Sequence, residues 1–188
     1  MKFKLVDVSK YGFAVEPRYF FYGWANYPKI LIRESIAEQL KKARKELPLK
    51  YHFKIWDGYR TLKTQSLMLN SFYRRIKAAH PDWKDRKIIK ELCKFGSKPI
   101  KVVKELDTHR NGGSLDLTIV DDKRNELYMG TDHDDLTPRA ALDYFETKRK
   151  LTPLDYIARK NRKLLKKVML HAGFQPYPPE WWHWSYGK

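Results

Sequence analysis

The sequence predicts an α+β fold, on two observations. Apolar residues recur at helical spacing in well-separated stretches, and short stretches between them alternate apolar and polar as half-buried strands do. The first helical stretch covers residues 33–47, RESIAEQLKKARKEL, and stops before Pro48. Residues 51–56, YHFKIW, alternate as a strand. A second helix is expected over residues 62–79, ended by His80-Pro81, and a third over residues 86–95, ended by Gly96. Residues 114–120, SLDLTIV, read as a strand, with DDKRNE after it as a hairpin turn into LYMG. Helical spacing returns over residues 153–171, with Thr152 as the N-cap and Gly173 as the stop. The closing EWWHWSYG, residues 180–187, is expected to be a short strand or an extended tail.

The chain of 188 residues has no internal repeat, low-complexity segment or Gly/Ser linker, so residues 1–188 are expected to form a single domain. No apolar run reaches the roughly 18 residues that a membrane span needs. The N-terminal MKFKLVDVSKYGF lacks the apolar core of a cleavable signal peptide, and the lone Cys93 cannot form an internal disulfide. A cytoplasmic protein is the expectation. The net charge of +17 favours anionic partners, nucleic acid first. Its densest cluster is RKNRKLLKK, residues 159–167. There Leu164, Leu165, Val168 and Met169 take one helical face and the basic residues are expected on a solvated one. No zinc-finger spacing, RNP-like motif or Gly-rich phosphate loop accompanies it, so the charge names no activity and no nucleic-acid partner is expected.

The chemistry concentrates in three places. In THRNGGSLDLTIV, two glycines allow a tight bend that returns His109 towards Asp116, which shares a strand face with Ser114. A carboxylate inside so apolar a strand needs a cationic partner or a metal; a hairpin ion pair to a nearby arginine is the simpler of the two. In EWWH, His183 adds a second imidazole. Two imidazoles and one carboxylate fill three positions of a tetrahedral zinc site and leave the fourth open. Glu180 is the nearest candidate base. Because residues three apart in a regular strand face opposite ways, Glu180 must lie in a turn, which Pro178-Pro179 favours. The rings of Trp181, Trp182 and Trp184 would dry such a site, although aromatics near a terminus also serve simply to pin a last strand onto the core. In WDGYRT, Arg60 stands at a strand-to-helix junction, where its guanidinium can face a developing oxyanion.

The combination of WDGYR, H-x6-D leading into an apolar strand, a Met-Gly-Thr turn, a helix ending AGF and then EWWH resembles the D-alanyl-D-alanine dipeptidases of the VanX type. These are zinc peptidases acting on bacterial cell-wall peptides. The resemblance runs from about Tyr19 to Tyr186. It implies a small central antiparallel sheet flanked by helices, a hedgehog or DD-peptidase-like fold, and one zinc ion per chain. It also implies residue roles: His109, Asp116 and His183 as zinc ligands, Glu180 as base, and Arg60 as the group stabilising the transition state. Thr108 stands where the family usually has a substrate-holding serine. Asp134 or Asp135 would receive the substrate ammonium, together with Tyr22 or Tyr27. The family usually has an aromatic before that aspartate, whereas this chain has His133, expected as an exposed polar replacement rather than a further ligand. The activity implied is hydrolysis of D-Ala-D-Ala to two D-alanines, serving glycopeptide resistance or D-alanine salvage. The alternatives are a zinc DD-carboxypeptidase or endopeptidase on longer cell-wall peptides and, more distantly, a basic nucleic-acid-binding protein.

Overall fold

The computed structural model describes residues 3–95 and 108–187, and each long periodic stretch takes the expected form. Strand β1 (Leu5–Asp7) is followed by β2 (Ala14–Val15), the short helix α1 (Arg18–Phe21) and β3 (Leu31–Arg33). Helix α2 (Glu34–Lys45) turns Ile36, Ala37, Leu40 and Ala43 inward, the spacing of one helical face. Strand β4 (Tyr51–Asp57) leads into α3 (Leu62–Ala79), whose start is capped by the Thr61 side chain accepting from the Thr64 N–H. Helix α4 (Asp85–Leu92) continues into a 3-10 turn, Cys93–Phe95; the expected stop at Gly96 lies outside the described residues. Strand β5 (Ser114–Asp121) ends in a turn where the Asp121 carboxylate accepts from the Asn125 N–H, but the LYMG segment adds no strand, only a bridge of Val120 to Glu126. Helix α5 (Tyr144–Thr147) precedes α6 (Pro153–His171), which opens on a reciprocal capping box between Thr152 and Asp155. Strands β6 (Gln175–Tyr177) and β7 (Glu180–Ser185) close the chain as a hairpin.

The main sheet has the order β2-β4-β5-β7-β6, with β1 and β3 forming a separate antiparallel pair. One pairing departs from the expected antiparallel sheet: β2 lies parallel to β4. The chain between them carries α1, β3 and α2, long enough for the crossover that a parallel pair requires. From β5, Leu115, Leu117 and Ile119 are fully buried in one cluster with Leu40 of α2 and Leu165 of α6. A second cluster joins Met68, Leu69 and Phe72 of α3 to Ile88 of α4 and to Tyr19.

The basic face of α6 needs one correction. Arg162 is 2% exposed rather than solvated, and its guanidinium donates to the carbonyls of Met129 (2.7 Å), Ala141 (2.6 Å) and Arg139 (3.0 Å). The reason is tertiary: the loop from residue 129 to 141 crosses α6 with unpaired carbonyls, and a five-donor fork satisfies them. Burial and the Arg139 charge push this guanidinium down to about 9, which leaves it charged at neutral pH.

Candidate active site

Strand register brings the chemistry together. Asp116 on β5 lies directly opposite His183 on β7 and, on its other side, opposite Asp57 on β4. Directly opposed residues project to the same face, so Asp57, Asp116 and His183 form a row across three strands. Asp57 reaches that row through a bulge: Trp56 is the extra residue between the Ile55 and Asp57 pairings, and the local slip re-aims the side chain after it. Glu180 does not lie in a turn as expected but is the first residue of β7, where a similar irregularity brings it to the site. Along β6 the partners step from Pro176 to Tyr177, while along β7 they step from Trp184 to Glu180. The chain between is irregular on that side, and Glu180 Oε2 comes within 4.0 Å of His183 Nδ1. The bend before β5 is held by glycine: Gly112 has φ +68°, and a Cβ there would meet the Leu5 side chain at 2.5 Å. The bend folds His109 over the row, where its carbonyl accepts from the Gly112 N–H at 3.0 Å.

Three donor atoms converge. His109, Asp116 and His183 each present one ligand atom, all within 4.8 Å of one another. His109 Nε2 lies 3.0 Å from His183 Nδ1, and Asp116 Oδ1 lies 3.2 Å from His183 Nδ1 and 3.5 Å from His109 Nε2. The carbonyl of Gly58 sits 2.7 Å from His109 Nδ1, which puts that ring's proton on Nδ1 and leaves the Nε2 lone pair facing the cluster. Burial, together with the Arg60 charge, pushes His183 down towards the neutral form that metal ligation needs. Burial opposes the charge on Asp116, yet His109, His133 and His183 hold its carboxyl well below the usual carboxylate range. Asp116 Oδ1 is nevertheless buried without a hydrogen bond. A buried ionised oxygen facing two imidazole nitrogens fits a divalent cation.

Around this cluster stand the remaining groups. Arg60, 7% exposed, donates from Nε to Asp57 Oδ2 (2.5 Å), from Nη1 to Gln65 Oε1 (3.0 Å) and from Nη2 to Asp116 Oδ2 (3.1 Å). Asp116 therefore has an arginine partner on one oxygen, from the distant β4–α3 junction rather than from a hairpin, and the convergent donors on the other. Glu180 is largely buried; burial first, then the Asp116 and Asp134 charges, push its carboxyl well above the usual range. Such a carboxyl holds a proton well and is suited to proton transfer near neutral pH. All three tryptophans of the tail are at most 1% exposed, but only Trp182 packs on a ring of the site, that of His133, with Trp181 behind it. Trp184 instead pairs with Leu115 and faces the core.

The anticipated substrate residues divide. Asp134 has a left-handed backbone, φ 58°, and its Oδ2 is buried without a hydrogen bond. Aspartate is one of the few non-glycine residues that adopt this backbone readily, and here it leaves one carboxyl oxygen buried and unmatched. Asp135 instead accepts from the Thr137 backbone N–H at 2.8 Å, a local turn role. The tyrosine that touches Asp134 is Tyr19, whose hydroxyl donates to Oδ1 at 3.3 Å; the sequence signal was only its place at the start of the resemblance. Tyr27 is half-buried along a cavity beside Asp57 and Tyr59, and Tyr22 is 50% exposed. Thr108 sits at the start of the bend with its hydroxyl bonded by Ser114. His133 is corrected outright. Its side chain is fully buried, with Nε2 at 3.2 Å from Asp116 Oδ2, because the rings of Trp56 and Trp182 enclose it.

Known proteins resemble this sequence over most of its length. A family model described as D-ala-D-ala dipeptidase, Peptidase_M15, matches residues 23–188. A D-alanyl-D-alanine dipeptidase of Synechocystis sp. is 26% identical over 173 residues, covering 84% of this chain and 69% of the relative. A D-alanyl-D-alanine dipeptidase of Enterococcus faecalis is 25% identical over 159 residues, covering 84% and 73%. With a family match across most of its length and a buried three-donor cluster at its centre, the chain belongs to the Peptidase_M15 family and is a metallopeptidase.

Proposed function

We propose that this enzyme is a zinc-dependent dipeptidase that hydrolyses D-alanyl-D-alanine to two D-alanines. The observation that carries the reading is the buried Asp116 Oδ1, which accepts no hydrogen bond and faces His109 and His183. Those three residues would hold the ion. Zinc supplies a Lewis acid for the scissile carbonyl and makes water more acidic. Glu180 takes the proton of the attacking water and passes it to the leaving amine, a double duty that suits a carboxyl raised by burial. Arg60, locked to Asp57 and Asp116, keeps its positive charge beside the developing oxyanion.

Substrate choice follows from Asp134. Its buried, unmatched Oδ2 calls for a cation, and the free ammonium of a dipeptide supplies one. Tyr19 holds the other oxygen in place, and Tyr27 lines the cavity beside Asp57, while the Thr108 hydroxyl is taken up by Ser114. An acylated amino terminus would leave Asp134 unpaired. Turnover of D-Ala-D-Ala is therefore expected to exceed that of an N-acylated peptide ending in D-Ala-D-Ala. In Asp134→Asn the KM for the dipeptide should rise by about tenfold or more, the loss of one charged hydrogen bond. Preference for the acylated peptide would contradict the dipeptidase reading and identify a carboxypeptidase.

A further inference from the structure

His133 is buried beside the three convergent donors but is not one of them. The two oxygens of Asp116 have divided surroundings. Oδ1 faces His109 and His183 and accepts no hydrogen bond, whereas Oδ2 lies 3.1 Å from Arg60 Nη2 and 3.2 Å from His133 Nε2. The imidazole is held there from several sides. Its ring centroid is 5.0 Å from that of Trp56, 5.5 Å from Trp182 and 5.9 Å from Tyr19. Its backbone N–H donates to Asp132 Oδ1 at 2.8 Å, and the same oxygen is anchored by Arg18 Nη1 at 2.6 Å.

We infer that His133 is a positioning residue for the metal centre: its Nε2–H occupies Asp116 Oδ2, so that Oδ1 alone faces the ion. A carboxylate with both oxygens free can swing or chelate through both; one with an oxygen already bonded presents a single donor in a fixed direction. Arg60 alone would leave Oδ2 a second lone-pair direction, and His133 fills it. The same Nε2 lies 3.6 Å from Asp134 Oδ1, so one imidazole ties the turn bearing Asp134 to the carboxylate of the metal cluster. The inference rests on the reading of His109, Asp116 and His183 as ligands.

The test uses the full chain without dipeptide. Zn2+ affinity is measured by competition with a chromophoric chelator, and the visible absorption of the Co2+-loaded protein reports the ligand set. Relative to wild type, His133→Phe should bind Zn2+ about 10- to 100-fold more weakly, the usual consequence of losing an outer partner of a ligand. Its Co2+ bands should weaken as the second carboxylate oxygen joins the ion. His133→Gln, which keeps an N–H at similar reach, should return to within about threefold of wild type. Should His133→Phe fail to fold, as read by its thermal transition, His133→Asn, whose amide is too short to reach Asp116, replaces it. Unchanged affinity in the variant without the contact overturns the inference. So does a Gln variant as weak as Phe, since the ring and not its N–H would then matter. A wild-type chain that binds no Zn2+ would overturn the ligand assignment itself, a different and distinguishable failure.

Discussion

Arg60 and Arg162 are both buried, both make several short hydrogen bonds, and they do opposite things. Arg60 faces the carboxyl groups of Asp57 and Asp116, at the end of the sheet where β4, β5 and β7 run side by side. Arg162 donates to neutral carbonyls of Met129, Arg139 and Ala141, lies over the rings of Phe145 and Trp181, and fastens the loop carrying Asp132 to Asp135 onto α6. A charge among opposite charges can respond when a reacting group changes its own charge; a charge among carbonyls is spent on holding backbone. On the proposed function, the comparison separates a region whose side chains would carry the reaction from one that keeps those side chains in place.

The sharpest way to break that separation is at Glu180. Glu180→Ala should keep its fold and its Zn2+ affinity while kcat falls about a thousandfold, within the range for a lost acid–base group. Near-normal turnover would remove Glu180 from the reaction. Next is Arg60→Lys, which keeps the charge and loses the fork; kcat is expected to fall about a hundredfold, with a smaller change in stability. Arg162→Met should do the reverse. It leaves three buried carbonyls without a donor and should cost about 3 kcal/mol in denaturant unfolding, while Zn2+ affinity of the folded protein stays as in wild type.

The site was more legible in the sequence than its surroundings were. His109, Asp116 and His183 stand in short motifs that pointed to a metal site, and the strand register explains how Asp116 meets His183. Glu180 and Arg60 gained their roles from the family resemblance. The long periodic helices were equally plain, α6 to the residue. What could not be read is whatever depends on contacts between distant segments. His133 looked like a surface residue in an Asp-rich turn, because nothing local reveals that Trp56 and Trp182 close over it. Arg162 looked solvated among lysines, because its carbonyl partners lie more than twenty residues away. Tyr19 sits on a four-residue helix with no periodicity to mark it, and the pairing of β1 with β3 involves strands of three residues each.

The smallest expected effect lies at the start of α6. Thr152→Ala removes one half of the capping box and should cost about 1 kcal/mol, lowering the thermal transition by roughly 2–4 °C for a domain of this size. The pH dependence there has a definite sign. Bonds from Lys148, the Thr152 backbone and Arg139 depress the Asp155 carboxyl. Its contribution is therefore complete above the unfolded value near 4 and fades only as pH falls from there towards the lower folded value. Thermal transitions followed from pH 7 to about pH 3 should show the Thr152 and Asp155 effects shrinking together at the acid end.

The most direct measurement is release of D-alanine from D-Ala-D-Ala by the purified protein, before chelation, after it, and after Zn2+ is restored. Activity lost to the chelator and regained with zinc is the expected result. No release from fully Zn2+-loaded protein would contradict the dipeptidase assignment, and release that survives removal of the metal would contradict the role given to His109, Asp116 and His183.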